Sequence, residues 1–488
     1  MTALSINNLM NYKNPNLIKA ARLDAETSME RLSSGKKINK ASDSPADLQI
    51  LSRLQKGITG YQRAEMNTNN HLSMLNTADS ALKEIVNLLN RTRELTVYAS
   101  QESTTATERG SYAEEANALV KEVDRIAAAS FAGKKLLDGT FTGKTMNVGP
   151  SQSDFFSASI NSVRSTNLGG YISTGPTRAA TSPANVASAN DTSNAEDIVL
   201  TVGSSTTTID VEANDSAEIV AKKVNTLTDS TGITARAATY AFLFSTNSSS
   251  ANYAIKINDH STASFAISSG DPSDAVAKIN SISSTTGVTA EATSANYVLL
   301  LDPEGGDITI ENTSSGTDLD VQAVKSDGIT TQGSPQSLAD GTASNNDATR
   351  VIGTLTLTSS SSFTVSQSGT PSQGYTTSGT PTLTALDSIS LSTASNALSA
   401  IDIIDHSIHL VTSERGTVSA YINRLEHSNS FNRNMIESHR ISKGVLEDAD
   451  YALETSNLAK ALIRERASVA LLAQANASVG LVMELLGD

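Results

Sequence analysis

From Leu51 onward, apolar residues recur in alternating steps of three and four. Leu51, Leu54, Ile58, Tyr61, Leu72, Leu75, Leu82, Val86 and Leu89 share one stripe, interrupted by Glu65, Thr68 and Asp79. The spacing predicts one face of a long helix and suits a coiled-coil seam with three soft positions. No proline falls between Pro45 and Pro150, so the pattern has no strong breaker. A helix over about 46–100 would be roughly 80 Å long. After the turn "SQESTTATERGS", a second helix is expected from Tyr112 to Ser130, and "FAGKKLLDGTFTG" then leaves helix for a turn-rich, strand-like stretch.

The same spacing returns beyond the last proline, Pro381. Ala397, Ile401, Ile404, Ile408, Val411, Val418, Ile422 and Leu425 fit one seam, with Arg415 as the exception. A further seam joins Leu458, Leu462, Val469, Leu472, Val479, Met483 and Leu486, with Glu465 and Asn476 inside it. Ile18 and Leu32 stand on a comparable stripe at the start of the chain. A narrow stripe cannot bury itself, and the simplest partner for each rod is the other end of the same chain. The segment "SMERLSSGKKINKASDSPADLQI", residues 28–50, interrupts this regularity. Ser33, Ser34 and Gly35 end one helical pattern, two lysines follow, and "SDSPAD" reads as the cap of the next. It is a hinge between two helices.

The middle differs in kind. Ser and Thr dominate residues 146–390, helical periodicity is lost, and short β-branched runs such as "DIVLTV", "YAIKIN" and "VIGTLTLT" alternate with turn residues. An internal repeat is present: "SAEIVAKKVNTLTDSTGITARAATYAFLF" matches "PSDAVAKINSISSTTGVTAEATSANYVLLL". Asn225 pairs with Asn280 and Gly232 with Gly287. The repeat predicts two small α+β modules in tandem over about 195–312.

Charge separates the same regions. The 488-residue chain has a formal net charge of −15, and residues 146–390 hold 9 basic against 23 acidic side chains. The rest of the chain is nearly balanced. Neither part has the basic surplus that nucleic acid binding needs. The absence of Cys excludes disulfides and thiol chemistry. No run of about 18 apolar residues predicts a membrane span, and "MTALSINNLMNYKNPNLIKAA" lacks the apolar core of a secretory signal. The expectation is a cytoplasmic chain or an export route that uses no such signal.

The hinge segment, read with the tail, resembles the bacterial flagellins. "ERLSSGKKINKASDSPADLQI", "RTRELTVYAS" and "FAGKKLLDG" look like the family's N-terminal signature. "SAIDIIDHSIHLVTSERGTVSAYINRLEHS" and "LLAQANASVGLVMELL" look like its C-terminal one. The resemblance covers about 145 residues at the front and 98 at the back. It implies an α+β multidomain fold whose N- and C-terminal helices pair as coiled-coil inner layers (D0/D1-like), beneath a β-rich, surface-exposed variable region. On that reading, residues 1–45 form the inner N-terminal segment and hinge, 46–145 the N-terminal half of the rod, 146–390 the variable region, 391–442 the C-terminal half of the rod, and 443–488 the inner C-terminal segment.

The implied function is that of a structural subunit, not an enzyme, that self-assembles into the helical filament used for swimming. The polymerisation seam would comprise Ile18, Leu32, Leu458, Leu462, Val469, Leu472, Val479, Met483 and Leu486. The rod seam would comprise Leu51, Leu54, Ile58, Leu72, Leu75, Leu82, Leu89, Ile401, Ile404, Ile408, Val411, Ile422 and Leu425. Terminal stripes without an intrachain partner of sufficient width would leave both ends mobile in the monomer, and the Gly35 hinge would reach its geometry only between packed subunits. Implied partners are further copies of the chain, a flagellar export apparatus with its export chaperone, the cap protein and the hook-associated junction proteins. A vertebrate Toll-like receptor for flagellin is a further one, with Arg91, Leu95 and Glu115 at the contact positions and Asn90 in place of Gln. The implied location is the secreted, extracellular filament. No cofactor and no membrane partner are implied.

Departures from the family pattern are Asn14-Pro15, where a kink or helix start is expected, Asp47 in place of Gly, and Gly444 and Val445 in a place that is commonly polar. Rival readings are few. No H-E-x-x-H supports a zinc protease. His406 and His409 share a helix face without a third ligand nearby, and "LDPEGGD", residues 301–307, reads as a hairpin turn rather than a calcium loop. A hook–filament junction protein shares the end helices, while an adhesin or phage-tail fibre would account for the β region alone.

Overall fold

The computed structural model describes residues 2–101, 104–190, 192, 196–246, 251–268, 271–293, 297–341, 346–367 and 374–486, with side chains described from residue 16 to 477 apart from 475. The chain divides into two compact units. One comprises Met1–Leu75, Gly143–Ala158 and Tyr421–Asp488; the other comprises Asn76–Thr142 and Ser159–Ala420. Nine helices are assigned among the described residues: α1 Thr2–Ser34, α2 Pro45–Ala99, α3 Ala106–Ala127, α4 Ala217–Asn225, α5 Thr228–Thr231, α6 Ser273–Asn280, α7 Ser283–Thr286, α8 Ala394–Glu447 and α9 Tyr451–Leu486.

Three boundaries differ from the sequence expectations. α1 is helical throughout, so no helix starts at Pro15. α3 begins six residues before Tyr112, because Thr105 and Glu108 form a reciprocal capping box: the Thr105 side chain accepts from Glu108 N, and the Glu108 side chain accepts from Thr105 N at 2.8 Å. α8 runs through residue 443, and the break before α9 falls at 448–450.

In the first unit, the start of α2 lies antiparallel to the end of α8. Lys443 Nζ donates to Gln55 Oε1 at 2.8 Å, Arg433 Nε to Glu65 Oε1 at 2.8 Å, and Asn429 Nδ2 to Asn69 Oδ1 at 2.9 Å. Leu51, Ile58, Ala64, Thr68, Leu75, Leu425 and Ile436 are buried between them. Thr68, one of the soft positions, is fully covered, and its hydroxyl donates to Ala64 O at 2.8 Å. A hairpin of strands Lys144–Asn147 and Phe155–Ala158 packs on this pair. Arg424 sits 4.3 Å over the Phe156 ring, and Asn432 Nδ2 donates to Val148 O at 2.8 Å.

In the second unit, the rest of α2, α3 and the start of α8 form a three-helix core. Leu82, Ile85, Leu89, Leu95, Val120, Val123, Ile404 and Val411 are buried there. Arg93 is bidentate to Asp405 at 2.6 and 3.2 Å. Of the rod-seam residues, Leu51, Ile58, Leu75, Leu82, Leu89, Ile404, Val411 and Leu425 are buried. Leu54, Leu72, Ile401, Ile408 and Ile422 are half-buried.

The β-rich region of that unit is organised around one long strand, Ile233–Phe244. On one edge it pairs with Val298–Asp302. On the other it pairs first with Thr354–Ser359 and then with Leu319–Val324. Its first half lends Ile233 and Ala237 to a core with Leu200, Val220, Val224 and Phe363. Its second half lends Ala241 and Leu243 to a core with Tyr253, Phe265, Ile279 and Leu300.

The repeat is reproduced bond for bond. Asn225 accepts from Ala235 N at 2.7 Å and donates to Ala235 O at 2.8 Å; Asn280 does the same with Ala290 at the same two distances. Gly232 and Gly287 both take left-handed backbone, φ +66° and +75°, to end α5 and α7. The two copies are not self-contained over 195–312. The first core is completed by Leu355, Leu357, Phe363 and Val365, and the second by Leu319, Val321, Leu338 and Val351. Gly169–Thr174, paired with Leu383–Ala385, brings the ends of the region together.

Candidate functional site

The residues that set the site apart are small ones. Along α1, Ala21, Ala25 and Ser28 are buried and Ile18 and Leu32 half-buried, again in steps of three and four. Along α9, Glu454 and Ala461 are buried, while Leu458, Leu462, Glu465, Ser468 and Leu472 are half-buried. The two helices pair antiparallel. Arg31 Nη1 donates to Glu454 Oε1 at 3.0 Å, Arg22 lies 3.8 Å from Glu465, and Arg464 lies 3.8 Å from Asp24. Alanine and serine at the contact let two backbones approach closely without large side chains between them.

This arrangement corrects two expectations. The terminal stripes do have an intrachain partner: each other. Val469, assigned to the seam, is 50% exposed, and Ser468 takes the inward position. The side chains of Val479, Met483 and Leu486 lie outside the described residues.

Small residues inside leave large ones outside. Leu17, Leu23 and Met29 on α1 and Leu453, Ile463, Val469 and Leu471 on α9 are all at least half exposed. Scattered exposed leucines are ordinary; here they point in several directions around α1 and α9, so the pair presents apolar side chains on more than one side.

The connection to α2 is built with equal economy. Gly35 follows α1 with φ +68°, a conformation that L side chains resist, and an added Cβ would meet Tyr451 Oη at 3.2 Å. Gly35 O accepts from Ala449 N at 2.9 Å, and Lys37 N donates to Glu447 O at 2.6 Å. Lys36 Nζ is 2.6 Å from Glu447 Oε1, and Lys443 Nζ is 3.3 Å from Glu447 Oε2. The Lys36 hydrogen bond holds the Glu447 carboxyl below the usual glutamate range, and Glu447 raises the Lys36 ammonium in return. Asp43 Oδ2 accepts from Asn39 N and Lys40 N at 2.9 and 2.8 Å, and Ser44 Oγ donates to Asp47 Oδ2 at 2.7 Å. Asp47 therefore completes the N-terminal cap of α2, which glycine could not do. The hinge takes its geometry within a single chain, contrary to the expectation that neighbouring subunits must supply it.

Of the expected receptor-contact residues, Arg91 and Glu115 are exposed and bonded to each other at 2.9 Å. Leu95 is 1% exposed, packed with Ala99, Ala116, Ala397 and Ala400. It serves the helix core and offers no surface. Among the described residues, no group of three or more His, Cys, Asp or Glu side chains is placed to hold a metal ion, and no helix is long and apolar enough to cross a membrane.

Comparison with known proteins joins the two ends. The model of the bacterial flagellin N-terminal helical region matches residues 6–142, and that of the C-terminal helical region matches residues 401–486. The B-type flagellin of Pseudomonas aeruginosa is 28% identical over 99% of this chain and 100% of its own length. Polar flagellin F of Vibrio parahaemolyticus is 27% identical over 94% and 93%. The chain belongs to the bacterial flagellins.

Flagellins are structural subunits of the flagellar filament, and this chain is one of them: a subunit that self-assembles for motility. Both family matches stop at the β-rich region, which has its own cores. Solved structures with some likeness include FliC from Burkholderia pseudomallei, at TM-score 0.30 and 17% identity over 72% of this chain and 99% of that one. A hook-associated protein-3 from Legionella pneumophila has TM-score 0.35 and 13% identity over 82% and 98%.

Proposed function

We propose that this flagellin polymerises through the exposed apolar side chains around the α1–α9 pair, with the small-residue contact already committed within the subunit. The observation that supports this is the division of labour on α9: Ala461 and Ser468 face α1, while Ile463, Val469 and Leu471 are exposed. Burying one such side chain against a neighbouring subunit contributes about 1.5–3 kcal/mol, and every subunit repeats the contact. In this reading the residues before Gly35 and after the break at 448–450 line the filament's inner layer, α2, α3 and α8 form the next, and residues 146–390 face solvent. The protein acts through assembly and performs no catalysis. Export through a flagellar apparatus with its chaperone, capping at the growing tip, docking to hook-associated proteins and an extracellular location belong to the same reading. So does recognition by a Toll-like receptor, resting on Arg91 and Glu115 without Leu95. Cross-linking of assembled filaments tests the interface. Cysteines introduced at Leu23 and Ile463 should link different subunits in filaments and remain unlinked in monomers; links formed equally in monomers would defeat the assignment.

A further inference from the structure

Tyr240, Phe242, Tyr297, Leu299 and Leu301 turn one face of the β-rich sheet into an apolar wall, and the first turns of α3 and α8 close the space opposite it. The cavity between them has a volume of about 740 Å³. That lies within the range of small-molecule sites, which are mostly apolar with a few polar groups that orient the ligand. One polar group here is unusual. Arg109 lines the cavity and is only 8% exposed, yet its Nε is buried without a hydrogen-bond partner. Its other contacts are weak: Nη1 donates to Gln101 O at 3.4 Å, and Nη2 lies 3.9 Å from Glu291. A buried guanidinium with unmet donors is costly, and its fork geometry matches a carboxylate. The other acid on the lining, Asp327, is already engaged by Ile329 N at 2.8 Å and Thr330 N at 2.7 Å.

We propose that this cavity binds a small amphipathic carboxylate, its apolar body against the Tyr297 and Leu299 wall and its head on Arg109. The proposal concerns the space between the β-rich sheet and the first turns of α3 and α8 and stands independently of the filament contacts. Calorimetric titration of the full-length monomer with decanoate and with decanol tests it. One decanoate should bind per subunit, about tenfold or more tighter than decanol, because only the acid reaches Arg109 with a charge-assisted bond. Arg109→Met should bring decanoate down to the level of decanol, and Leu299→Trp should remove both, with circular dichroism confirming that each variant is folded. No decanoate binding, equal binding of acid and alcohol, or binding indifferent to Arg109→Met would overturn the proposal. Photolabelling of the unmodified protein with a diazirine-bearing decanoate gives a check that needs no variant: labels should fall on the strand Val298–Asp302, and labels confined elsewhere would also overturn it.

Discussion

Arg415 Nε donates to Asp79 Oδ1 at 3.0 Å, linking the centres of two seams that each residue interrupts in the sequence. Their side chains are 32% and 30% exposed, a position between surface and core. Exposed pairs contribute up to about 1 kcal/mol, and a half-covered pair leaves the surviving charge poorly solvated when one member is lost. Asp79→Ala and Arg415→Ala should each lower stability by about 1 kcal/mol in urea titrations. The double reversal, Asp79→Arg with Arg415→Asp, should regain most of it. Equal losses in the single and double variants would show that the pair does not act as a pair.

Gly35 is the one hinge position where left-handed backbone meets a neighbouring side chain. A residue with a Cβ costs about 1–2 kcal/mol in that conformation, and Tyr451 adds a close contact. Gly35→Val should therefore loosen the connection without unfolding the rods. Amide exchange at Lys37 and Ala449, whose N–H groups bridge the hinge, should accelerate while exchange within α2 stays slow. Unchanged protection at both amides would mean that the hinge tolerates the substitution.

The Lys36–Glu447 contact makes the hinge sensitive to acid. Because folding lowers the Glu447 pKa, chiefly through the Lys36 hydrogen bond, its contribution is present above the ordinary glutamate range and is lost as pH falls through the lowered folded value. The raised Lys36 value acts at the other extreme, its contribution fading only as pH rises past the ordinary lysine range. Exchange at Ala449 should accelerate on acidification in the natural protein, after correction for intrinsic rates. In Glu447→Gln that acceleration should be absent. Identical pH profiles would remove Glu447 from the account.

Deletions in the β-rich region should depend on where they end. Removing 190–345 strips the partners of Leu355, Leu357, Phe363 and Val365 and leaves them uncovered. Such a protein should aggregate. Removing 175–382 takes both cores out together and retains the paired strands Gly169–Thr174 and Leu383–Ala385. That version should be soluble and polymerise in a sedimentation assay, since the α1–α9 surface is intact. Failure of the longer deletion to form filaments, as a folded monomer, would give the region a role in assembly.

The sequence made the long helices readable because leucine and isoleucine at three-four spacing have one straightforward geometric meaning. It also made the repeat readable, since Asn225 and Asn280 hold the same turn in the same way. Other features lay beyond periodicity. Asp79, Arg415 and Glu65 look like defects in their own seams and find partners, Glu65 in Arg433, only when residues more than 300 positions apart are brought together. Apolar spacing also favoured Val469 over Ser468, although close helix pairing selects the small residue for the inside. The completion of the two β cores depends on strands after residue 312, a non-local pairing that no local pattern encodes. The capping box at Thr105 and Glu108 was the one missed boundary with a visible signal, T-x-x-E.

The central claim is that exposed apolar residues on α9 hold subunits together while small ones hold α9 to α1. Sedimentation of the Leu471→Asp variant under polymerising conditions tests it most directly. Leu471 is 60% exposed in the subunit, so the monomer should keep its helix content and its stability, yet no filament should pellet. Filaments forming at the same critical concentration as the natural protein would contradict the claim and place the assembly contact elsewhere.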